Sequence, residues 1–495
     1  MKAMFSCDVT KTKGAGHLMR SVSIAERARK SGVDVVFSGI YKTAFAQSVL
    51  LSSGFESIEF HGDSEALADL AVDTNIDLVH CDDYNPRPEL HRALSTRGIV
   101  LSSMEDGAYG ARNADVIIDP SPLAETVYRP GASSATHLRG LSYVPLRQSV
   151  IAAANARKAM HSRPEHSGRD LFRVLILLGG TDASGATKQM VDLWTTSVSR
   201  SLCFAVLPGL DAEIIESRGT TEIHWLPPSP DMARLLSEVD AVITAAGTTV
   251  WEVGAIGTPG AAILQAENQR SNYDYVVDSG ALVGLGRVDD LPRSAPAVRS
   301  AMKRLRSMGG LTSAYGPSTV DLEGADRIVS EWIGSVDNRN ALRLRGARMS
   351  DASSLFDWRN DANVRAVSRD NRPLTWESHI AWLRSVLANP SRKLLVAVLG
   401  STLAGTVRFD EMGRNPHEWE ISIALNPEKR GQGLGDRLLK AAEHNLRSQC
   451  EGPVRISALV KTDNHTSSRL FARNGYDEGS RAPQTALVMW GKLIQ

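Results

Sequence analysis

Continuous apolar runs alternate with amphipathic stretches along the first part of the chain. Runs such as VDVVFSG, IDLVHCDD and ADVIIDP end in polar or glycine residues, and stretches such as RSVSIAERARKSG place apolar residues at helical spacing between them. Buried strands separated by helices are typical of a parallel sheet that is covered on both faces. We therefore expect residues 1–150 to form a doubly wound α/β lobe.

The same pattern starts again after the polar stretch NARKAMHSRPEHSGRD. LFRVLILLGG predicts a strand that ends in glycines, ATKQMVDLWTTSV predicts a helix, and DAVITAAG and PGAAILQ predict further strands. We expect residues 151–335 to form a second Rossmann-like lobe. Two such lobes in tandem enclose a cleft, because the loops at the carboxyl ends of their strands face each other.

The order of elements changes after a linker near residues 335–341. The sequence there predicts a strand, a helical insert, several consecutive strands such as KLLVAVLG and WEISIALNP, and then a helix. This order predicts a further α/β domain over residues 341–495. The predicted fold class is therefore α/β, with two Rossmann-like lobes followed by a C-terminal domain.

The charge and composition of the chain indicate which kinds of partner we do not expect it to bind. The 495 residues include 56 Lys and Arg and 56 Asp and Glu, so the formal net charge is zero. Nucleic-acid binding and attraction to an anionic membrane both need a basic excess, and we expect neither. The four cysteines contain no C-x-x-C pair, and we expect no metal site and no disulfide framework. Without a signal peptide or a membrane-spanning run, the sequence predicts a cytoplasmic protein.

A histidine follows a glycine turn in the segment GAGHLMR, where a helix is predicted to begin. Gly14 and Gly16 let the backbone approach a ligand, and a helix N-terminus attracts anions. His17 and Arg20 then lie in the first helical turn, where we expect both to contact substrate. A histidine at this place is suited to accept a proton from water or to assist a leaving phosphate. A turn histidine without function is the alternative that this motif alone leaves open.

Two glycine loops of the second lobe are suited to bind a diphosphate, and the segment AENQRSN presents Asn268 and Gln269 after the next strand. In LLGGTDASG a strand runs into glycines and an aspartate, and in ITAAGTTVWEVGAIGTP a glycine and two threonines precede a helix that carries Glu252. Glu252 is suited to accept hydrogen bonds from ribose hydroxyls. An ordinary strand-to-helix turn with a capping threonine is the alternative for each loop. The substrate contacts predicted in these loops are Gly180, Asp182, Gly247, Thr248, Thr249, Glu252, Asn268 and Gln269.

Over the first two lobes, these motifs occur in an order that resembles the UDP-sugar hydrolases of pseudaminic acid biosynthesis. The segments that carry the resemblance are GAGHLMR, LRGLSYVPLR, LLGGTD, AAGTTVWEVGAIGTP and ENQ. The resemblance implies the two-lobed GT-B fold and the release of UDP from UDP-2,4-diacetamido-2,4,6-trideoxy-β-L-altrose by water. It implies that His17 is catalytic and that Glu252 and residues 247–249 hold UDP. It also implies that Asn268 and Tyr84 line the sugar site.

The segment MEDGAYGARNAD departs from that family. Family members often carry two aspartates followed by an Arg-x-His, where this chain has Glu105 in place of the first acid and Asn113 in place of the histidine. The departure concerns the sugar specificity more than the UDP chemistry.

The segment NPEKRGQGLGDRLLKAAEHNL places a glycine loop between a strand and a helix. Backbone N–H groups at such a helix start can hold a pyrophosphate. Together with KTDNHTSSRLFARNGY further on, this segment resembles the GNAT acetyltransferases over residues 342–495. The resemblance implies that acetyl-CoA is the acyl donor. The implied coenzyme A contacts are Arg430, Gly431, Gln432, Gly433, Leu434, Gly435 and Asn464.

The helical insert DWRNDANVRAVSRDNRPLTWESHIAWL resembles the acetyltransferase that acts on the 4-amino group of UDP-sugars in the same pathway. The resemblance implies that Arg359 and Asn360 contact the substrate. Trp358 and Trp382 of the insert either stack on a base or are core aromatic residues.

Acetyl transfer to an amine needs a base, because it is the neutral amine that attacks the thioester. Glu420, on the strand before the glycine loop, is the first candidate, and Glu418 is the second. Phe471 occupies the position at which many GNAT enzymes carry a tyrosine acid. Tyr476 occupies a position that a packed aromatic residue usually fills. The proton donor therefore stays unassigned.

Together the resemblances predict a bifunctional enzyme of nonulosonic acid biosynthesis, with a UDP-sugar hydrolase and an N-acetyltransferase in one chain. Its expected partners are a UDP-sugar and coenzyme A. Two alternatives remain: a UDP-sugar glycosyltransferase fused to a GNAT domain, and a non-catalytic sugar-nucleotide sensor whose GNAT domain acetylates a protein. Release of UDP without an acceptor distinguishes the hydrolase from the transferase.

Overall fold

Three sheets of seven strands each form the framework of the protein. The predicted site residues Gly14, Tyr84 and Gly180 lie outside the residues that the structure describes. The computed structural model describes residues 1–9, 16–83, 87, 89–105, 113–128, 135–161, 171–179, 182, 184–229, 232–308, 320–337, 341–368, 370–400, 402–413, 417–450, 452–481 and 486–494.

The first lobe is a parallel sheet with helices on both faces, as the continuous apolar runs predict. Its strands are β1 (Lys2–Ser6), β2 (Asp34–Gly39), β3 (Glu56–Glu59), β4 (Leu78–Cys81), β5 (Val100–Met104), β6 (Val116–Asp119) and β7 (Thr136–Arg139). Its helices are α1 (Gly16–Lys30), α2 (Ala44–Ser53), α3 (Ser64–Asp73) and α4 (Leu90–Thr96). The strand order is β3-β2-β1-β4-β5-β6-β7, so the order reverses between β1 and β4.

The second lobe repeats this plan. Its strands are β8 (Phe172–Leu177), β9 (Ser201–Val206), β10 (Ile214–Arg218), β11 (Thr221–Leu226), β12 (Ala241–Ala245), β13 (Gly260–Leu264) and β14 (Val283–Arg287). Its helices are α5 (Gln148–His161), α6 (Thr187–Ser197), α7 (Ala233–Glu238), α8 (Thr249–Ile256), α9 (Arg270–Asp278) and α10 (Leu291–Met308), and α11 (Gly324–Asp337) comes next in the chain. The order β10-β11-β9-β8-β12-β13-β14 reverses between β8 and β12, and the edge strand β10 runs antiparallel to β11.

Helix α11 follows the second lobe in sequence but packs against the first. Its Trp332 is fully buried, with its ring 5.7 Å from that of Phe5 and 5.1 Å from that of His80. The indole Nε1 of Trp332 donates to Ser102 Oγ at 3.0 Å. The end of the predicted second lobe therefore contributes to the core of the first, which ties the two lobes together.

The C-terminal domain has a mixed sheet. Its strands are β15 (Leu342–Gly346), β16 (Arg392–Leu399), β17 (Thr402–Glu411), β18 (Glu418–Leu425), β19 (Val454–Lys461), β20 (Asp477–Arg481) and β21 (Leu487–Ile494). Its helices are α12 (Ala352–Asn360), α13 (Ala362–Val367), α14 (Trp376–Ala388), α15 (Leu434–Arg447) and α16 (His465–Arg473). In the order β15-β16-β17-β18-β19-β21-β20, the pair β18 and β19 is parallel and the others are antiparallel. The predicted fold class is confirmed.

The helical insert α12–α14 docks on the first lobe. Tyr128 Oη donates to Asp357 Oδ1 at 2.8 Å, and Trp376 Nε1 donates to the carbonyl oxygen of Thr126 at 2.8 Å. The rings of Tyr128, Trp376 and Phe356 lie within 5.2 to 5.3 Å of one another. Hydrogen bonds and aromatic packing thus hold the C-terminal domain in one position against the first lobe.

Among the described residues, the helices are all too short or too polar to cross a bilayer.

Candidate functional site

The segments that follow β1 and β4 meet at the carboxyl edge of the first sheet. These neighbouring strands lead into connections on opposite sides of the reversal in strand order, which is where ligands bind in doubly wound folds. His17 lies in the first turn of α1, after β1, and Asp82 directly follows β4. The fold therefore brings together two residues that are 65 positions apart.

His17, Arg20 and Asp82 form a compact charged cluster. His17 Nδ1 lies 2.7 Å from Asp82 Oδ1. Arg20 donates from Nε to Asp82 Oδ2 at 2.8 Å and from Nη2 to Asp82 Oδ1 at 2.7 Å. Asp82 is 1% exposed, His17 5% and Arg20 7%. Water therefore competes little for these hydrogen bonds.

Asp82 is ionised in this cluster. Burial alone would raise the pKa of the Asp82 carboxyl, but the Arg20 guanidinium and the His17 ring hold it well below its usual range. A carboxylate only accepts hydrogen bonds, so we assign the proton of the neutral His17 ring to Nδ1. The Nε2 lone pair of that tautomer is the proton acceptor.

The cleft between the lobes joins this cluster to the second lobe. Arg20 and Ser121 line the cleft from the first lobe, and Thr248 and Glu252 line it from the second. His17 lies one helical turn before Arg20, and both side chains contact Asp82. The cleft therefore has Arg20, a member of the His17 cluster, on one wall and Thr248 of the predicted UDP-binding loop on the other.

The predicted diphosphate loop has the geometry of an anion site. Gly247 and Thr248 follow β12, and α8 begins at Thr249. The Thr248 side chain is exposed and makes no capping hydrogen bond to α8. The first N–H groups of a helix lack carbonyl partners within that helix, so this loop presents donors to the cleft.

Glu252 lies one turn into α8 and already has a partner. Arg147, from the segment that joins the lobes, donates to Glu252 Oε1 from Nε at 3.1 Å and from Nη2 at 2.9 Å. Sequence reasoning missed Arg147, although it ends the quoted segment LRGLSYVPLR. The ion pair fixes the carboxylate that we expect to contact ribose.

The other predicted substrate contacts of the second lobe bind the backbone or lie in exposed turns. Asp182 has a left-handed backbone with φ of 40°, and its carboxylate accepts from the backbone N–H groups of Ala186 at 3.1 Å and Thr187 at 3.2 Å. Asp182 therefore holds the start of α6. Asn268 is exposed in the turn after β13, and Gln269 accepts from the N–H of Gln265 at 3.3 Å. Gly16 is the first residue of α1.

Glu105 and Asn113, the departures from the hydrolase pattern, lie in different surroundings. Glu105 is 1% exposed, and its Oε2 lies 3.7 Å from Arg139 Nη2. Arg139 also donates to Ser353 Oγ of the C-terminal domain at 3.1 Å. Asn113 is exposed. Glu105 thus belongs to a buried ion pair at the contact between the first lobe and the C-terminal domain.

In the C-terminal domain, β18 and β19 separate beside Glu420. Their pairing ends at Glu420 and Ser457, while β18 continues to Leu425 and β19 to Lys461. The strands therefore open a gap that runs from Glu420 towards the glycine loop. A gap of this shape leaves backbone groups of both strands available to an extended ligand.

Glu420 is 9% exposed and lies on the face of the sheet away from α15. It lies directly opposite Asp410 on β17, so the two carboxylates share a face of the sheet. Asp410 accepts from Arg408 Nε at 2.9 Å and lies 3.3 Å from Arg392 Nε. Trp419, the neighbour of Glu420, points to the opposite face and packs in the core with α15. These arginines surround the carboxylates with positive charge.

The glycine loop before α15 has the predicted geometry. Gly431 and Gly433 have φ of 76° and 71°, which favour glycine, and α15 begins at Leu434. Arg430 Nη2 donates to Asp361 Oδ1 at 2.9 Å, which ties the loop to the helical insert. Gln432 donates to a backbone carbonyl of the same loop at 3.4 Å. A helix start behind two glycines, next to the gap between β18 and β19, fits coenzyme A. Gly435 follows in the first turn of α15.

Three polar residues predicted as ligand contacts are engaged with the backbone. Asn464 Oδ1 accepts from the N–H of Ser467 at 3.1 Å and begins α16. The Asn360 amide accepts from the N–H of Leu374 at 2.8 Å and donates to its carbonyl at 3.1 Å. Arg359 Nη2 donates to the carbonyl oxygen of Asp370 at 2.5 Å.

The four aromatic residues that the sequence singled out in this domain are buried or partly buried. Trp358 is 3% exposed and packs in the core of the insert, which favours the core alternative. Trp382 is partly buried against the same core. Phe471 and Tyr476 are each 3% exposed, with ring centroids 5.0 Å apart, so Tyr476 is a packed aromatic residue. The described residues contain no group of three or more potential metal ligands.

Known proteins resemble separate parts of the chain. Residues 341–477 match the family described as acetyltransferase (GNAT) domain, so the C-terminal domain is a GNAT acetyltransferase domain. The uncharacterized protein MJ1062 of Methanocaldococcus jannaschii is 21% identical over 405 residues, which are 78% of this chain and 78% of that protein. MurG of Acinetobacter baumannii is similar over 66% of this chain and 98% of its own, with 15% identity and a TM-score of 0.46. Spermidine N-acetyltransferase of Vibrio cholerae, solved with CoA and spermine, covers 31% of this chain and 94% of its own, with 16% identity and a TM-score of 0.28.

Proposed function

We propose that this chain is a bifunctional enzyme that N-acetylates a UDP-4-amino-4,6-dideoxy-AltNAc sugar and then releases UDP from the diacetamido product by hydrolysis. The observation that carries the proposal is the buried cluster of His17, Asp82 and Arg20, of which Arg20 lines the inter-lobe cleft opposite Thr248 and Glu252. A histidine that a buried carboxylate orients is suited to general base catalysis. The GNAT domain supplies the first of the two reactions.

In the hydrolytic step, the second lobe holds UDP and the first lobe activates water. The N–H groups at the start of α8 bind the diphosphate, and Glu252 accepts hydrogen bonds from the ribose hydroxyls. A water oxygen attacks the anomeric carbon C1 while His17 Nε2 takes a proton from that water. The bond between C1 and the phosphate oxygen breaks, its electron pair stays on that oxygen, and UDP leaves.

In the acetyl transfer, the acyl donor lies in the gap between β18 and β19, with its pyrophosphate at the glycine loop before α15. The 4-amino nitrogen of the sugar attacks the thioester carbonyl carbon, and the carbon–sulfur bond breaks to release coenzyme A as its thiolate. Glu420 takes the proton from the amine, directly or through water. Its place at the point where the strands separate supports this role.

The experiment uses the full chain, acetyl-CoA and the UDP-4-amino-sugar, with products followed by NMR over time. We expect the 4-acetamido UDP-sugar first, and free UDP with free diacetamido hexose afterwards. H17N is expected to accumulate the acetylated UDP-sugar, and E420Q to leave the amine unmodified while still hydrolysing diacetamido substrate that is added directly. Acetylation without UDP release in the wild type would contradict the hydrolase and favour a glycosyltransferase.

A further inference from the structure

Arg20 neutralises the buried carboxylate that orients His17. Both oxygens of Asp82 accept from Arg20, and Oδ1 is shared with His17 Nδ1. Arg20 Nη2 also lies 3.4 Å from His17 Nδ1. The negative charge of Asp82 is therefore already paired with the positive charge of Arg20.

This arrangement decides which form of the imidazole is stable. A buried carboxylate beside a histidine favours the imidazolium, because opposite charges attract strongly where water is excluded. A guanidinium at 3.4 Å from the ring disfavours a second positive charge there. An imidazolium has no lone pair and is unable to accept a proton from water.

We propose that Arg20 is a positioning residue that, with Asp82, keeps His17 a neutral imidazole with its proton on Nδ1. Arg20 then acts through His17 and Asp82. The sequence analysis predicts instead that Arg20 contacts substrate. This inference rests on the proposed hydrolytic function, because it assigns the base of that reaction.

Cys7 and His80, the described ionisable residues that interact with the cluster, do not replace Arg20. Burial lowers the pKa of His80, on β4, to about 4, and burial raises the pKa of the Cys7 thiol, after β1, so both are neutral. Glu252 on the facing wall is paired with Arg147. Among the described residues, the ionisable groups that interact with the cluster are Cys7 after β1 and His80 on β4, and Tyr41 and Asp8 lie beside Cys7. Glu252, paired with Arg147, lies across the cleft from Arg20.

The test compares R20Q, R20K and D82N with the wild type in UDP release from pH 5.5 to 9, together with calorimetric binding of UDP. Loss of the positive charge in R20Q lets Asp82 stabilise the imidazolium, so the acidic limb of the rate profile should move up by about one pH unit. R20K keeps the positive charge, so the acidic limb of its rate profile should lie at the same pH as that of the wild type. D82N should move the limb down and lower kcat about a hundredfold or more, because the tautomer is no longer fixed. UDP should bind all three variants within about twofold of the wild type.

An R20Q variant with an unmoved pH profile and UDP binding weakened about tenfold or more would overturn the inference and make Arg20 a substrate contact. A second measurement does not depend on turnover. The ¹⁵N NMR spectrum of the wild type, with His17 assigned by its loss in H17N, should show a neutral ring protonated on Nδ1 at pH 7. A His17 imidazolium at pH 7 would overturn the inference. A neutral Nδ1–H tautomer without UDP release would instead sustain the inference and contradict the proposed function.

Discussion

Arg147 and Glu252 form an ion pair at the boundary between the lobes, with two nitrogens of the guanidinium donating to one carboxylate oxygen. The Arg147 side chain is 9% exposed and that of Glu252 is 19% exposed, so the pair is shielded from water on most sides. Arg147 belongs to the segment that leads from the first lobe into α5, and Glu252 belongs to α8. The pair therefore couples the position of the predicted ribose contact to the connection between the lobes.

R147M is expected to raise the KM for the UDP-sugar about tenfold, which corresponds to about 1.4 kcal/mol, because Glu252 loses the two hydrogen bonds that hold its carboxylate in place. The kcat should change less, since His17 is untouched. Steady-state kinetics of UDP release measure both constants. The matched control is R234M, which removes an arginine of the same lobe from the exposed pair that it forms with Glu238. Equal effects of R147M and R234M on KM would contradict this prediction.

Burial makes His80 a source of acid sensitivity in the first lobe. Burial lowers the pKa of its ring from 6.5 to about 4, so in the folded state His80 binds its proton only at a lower pH than in the unfolded chain. Its stabilising contribution is therefore complete above pH 6.5 and is lost as the pH falls from 6.5 towards 4. We expect a loss of about 2 kcal/mol by pH 5.

The measurement is the drop in the thermal midpoint of the first lobe between pH 7 and pH 5. H80N removes the titrating ring and should reduce that drop, although it lowers stability at pH 7. His379 offers the matched case in the C-terminal domain, because burial lowers its pKa to about 4 as well. H379N should reduce the acid sensitivity of that domain only. A drop that H80N leaves unchanged would show that another group causes the acid sensitivity.

Motifs within one βα unit could be predicted from the sequence, whereas partners from different units could not. The glycine loops before α1, α8 and α15 are local patterns, and each helix begins where the sequence indicates. Asp82 was missed because its partnership with His17 depends on the adjacency of β1 and β4, which only the strand order establishes. An acid directly after a buried strand was the signal that the segment CDDYNP offered.

Residue type alone does not separate a ligand contact from a backbone cap. Asp182 and Asn464 follow strands and precede helices, as ligand contacts do in such folds, yet their side-chain oxygens accept from the N–H groups of those helices. Trp332 shows that the sequence pattern also fails to assign every helix to the correct lobe. It lies in the predicted second lobe, and it fills the core of the first because α11 returns there.

The contact between the first lobe and the helical insert can be weakened at Trp376. W376A removes the hydrogen bond to Thr126 and the aromatic contacts with Tyr128 and Phe356. We expect faster cleavage by trypsin in the connection between residues 337 and 341, because the C-terminal domain then leaves the first lobe more often.

Y128F is the graded comparison for W376A, since it keeps the ring and removes only the hydrogen bond to Asp357, a loss of about 0.5–1.5 kcal/mol. Its cleavage rate should lie between those of the wild type and W376A. Acetyl transfer by W376A should stay within about twofold of the wild type, since the glycine loop and Glu420 lie outside this contact. Equal cleavage of all three proteins would contradict the prediction.

Glu420 and Glu418 provide a matched pair on one strand for testing the base of acetyl transfer. Glu420 lies where β18 and β19 separate, while Glu418 lies where they are still paired, opposite Arg455. E420Q is expected to lower kcat for acetylation by about 10²–10⁴, because an amide is unable to take the proton of the amine. E418Q should stay within about twofold. The binding of acetyl-CoA should be the same in both variants, since the glycine loop is unchanged.

The rates are measured as acetyl-CoA-dependent thiol release with the UDP-4-amino-sugar, and they are read against pH. If Glu420 is the base, the rate of E420Q should rise with pH as the free amine forms in solution and needs no base. The UDP release of E420Q from diacetamido substrate should equal that of the wild type, because His17 belongs to another domain. A large loss of rate in E418Q with a small loss in E420Q would identify Glu418, and not Glu420, as the base. Similar large losses in both would indicate that the negative charge of the two glutamates binds the ammonium form of the substrate.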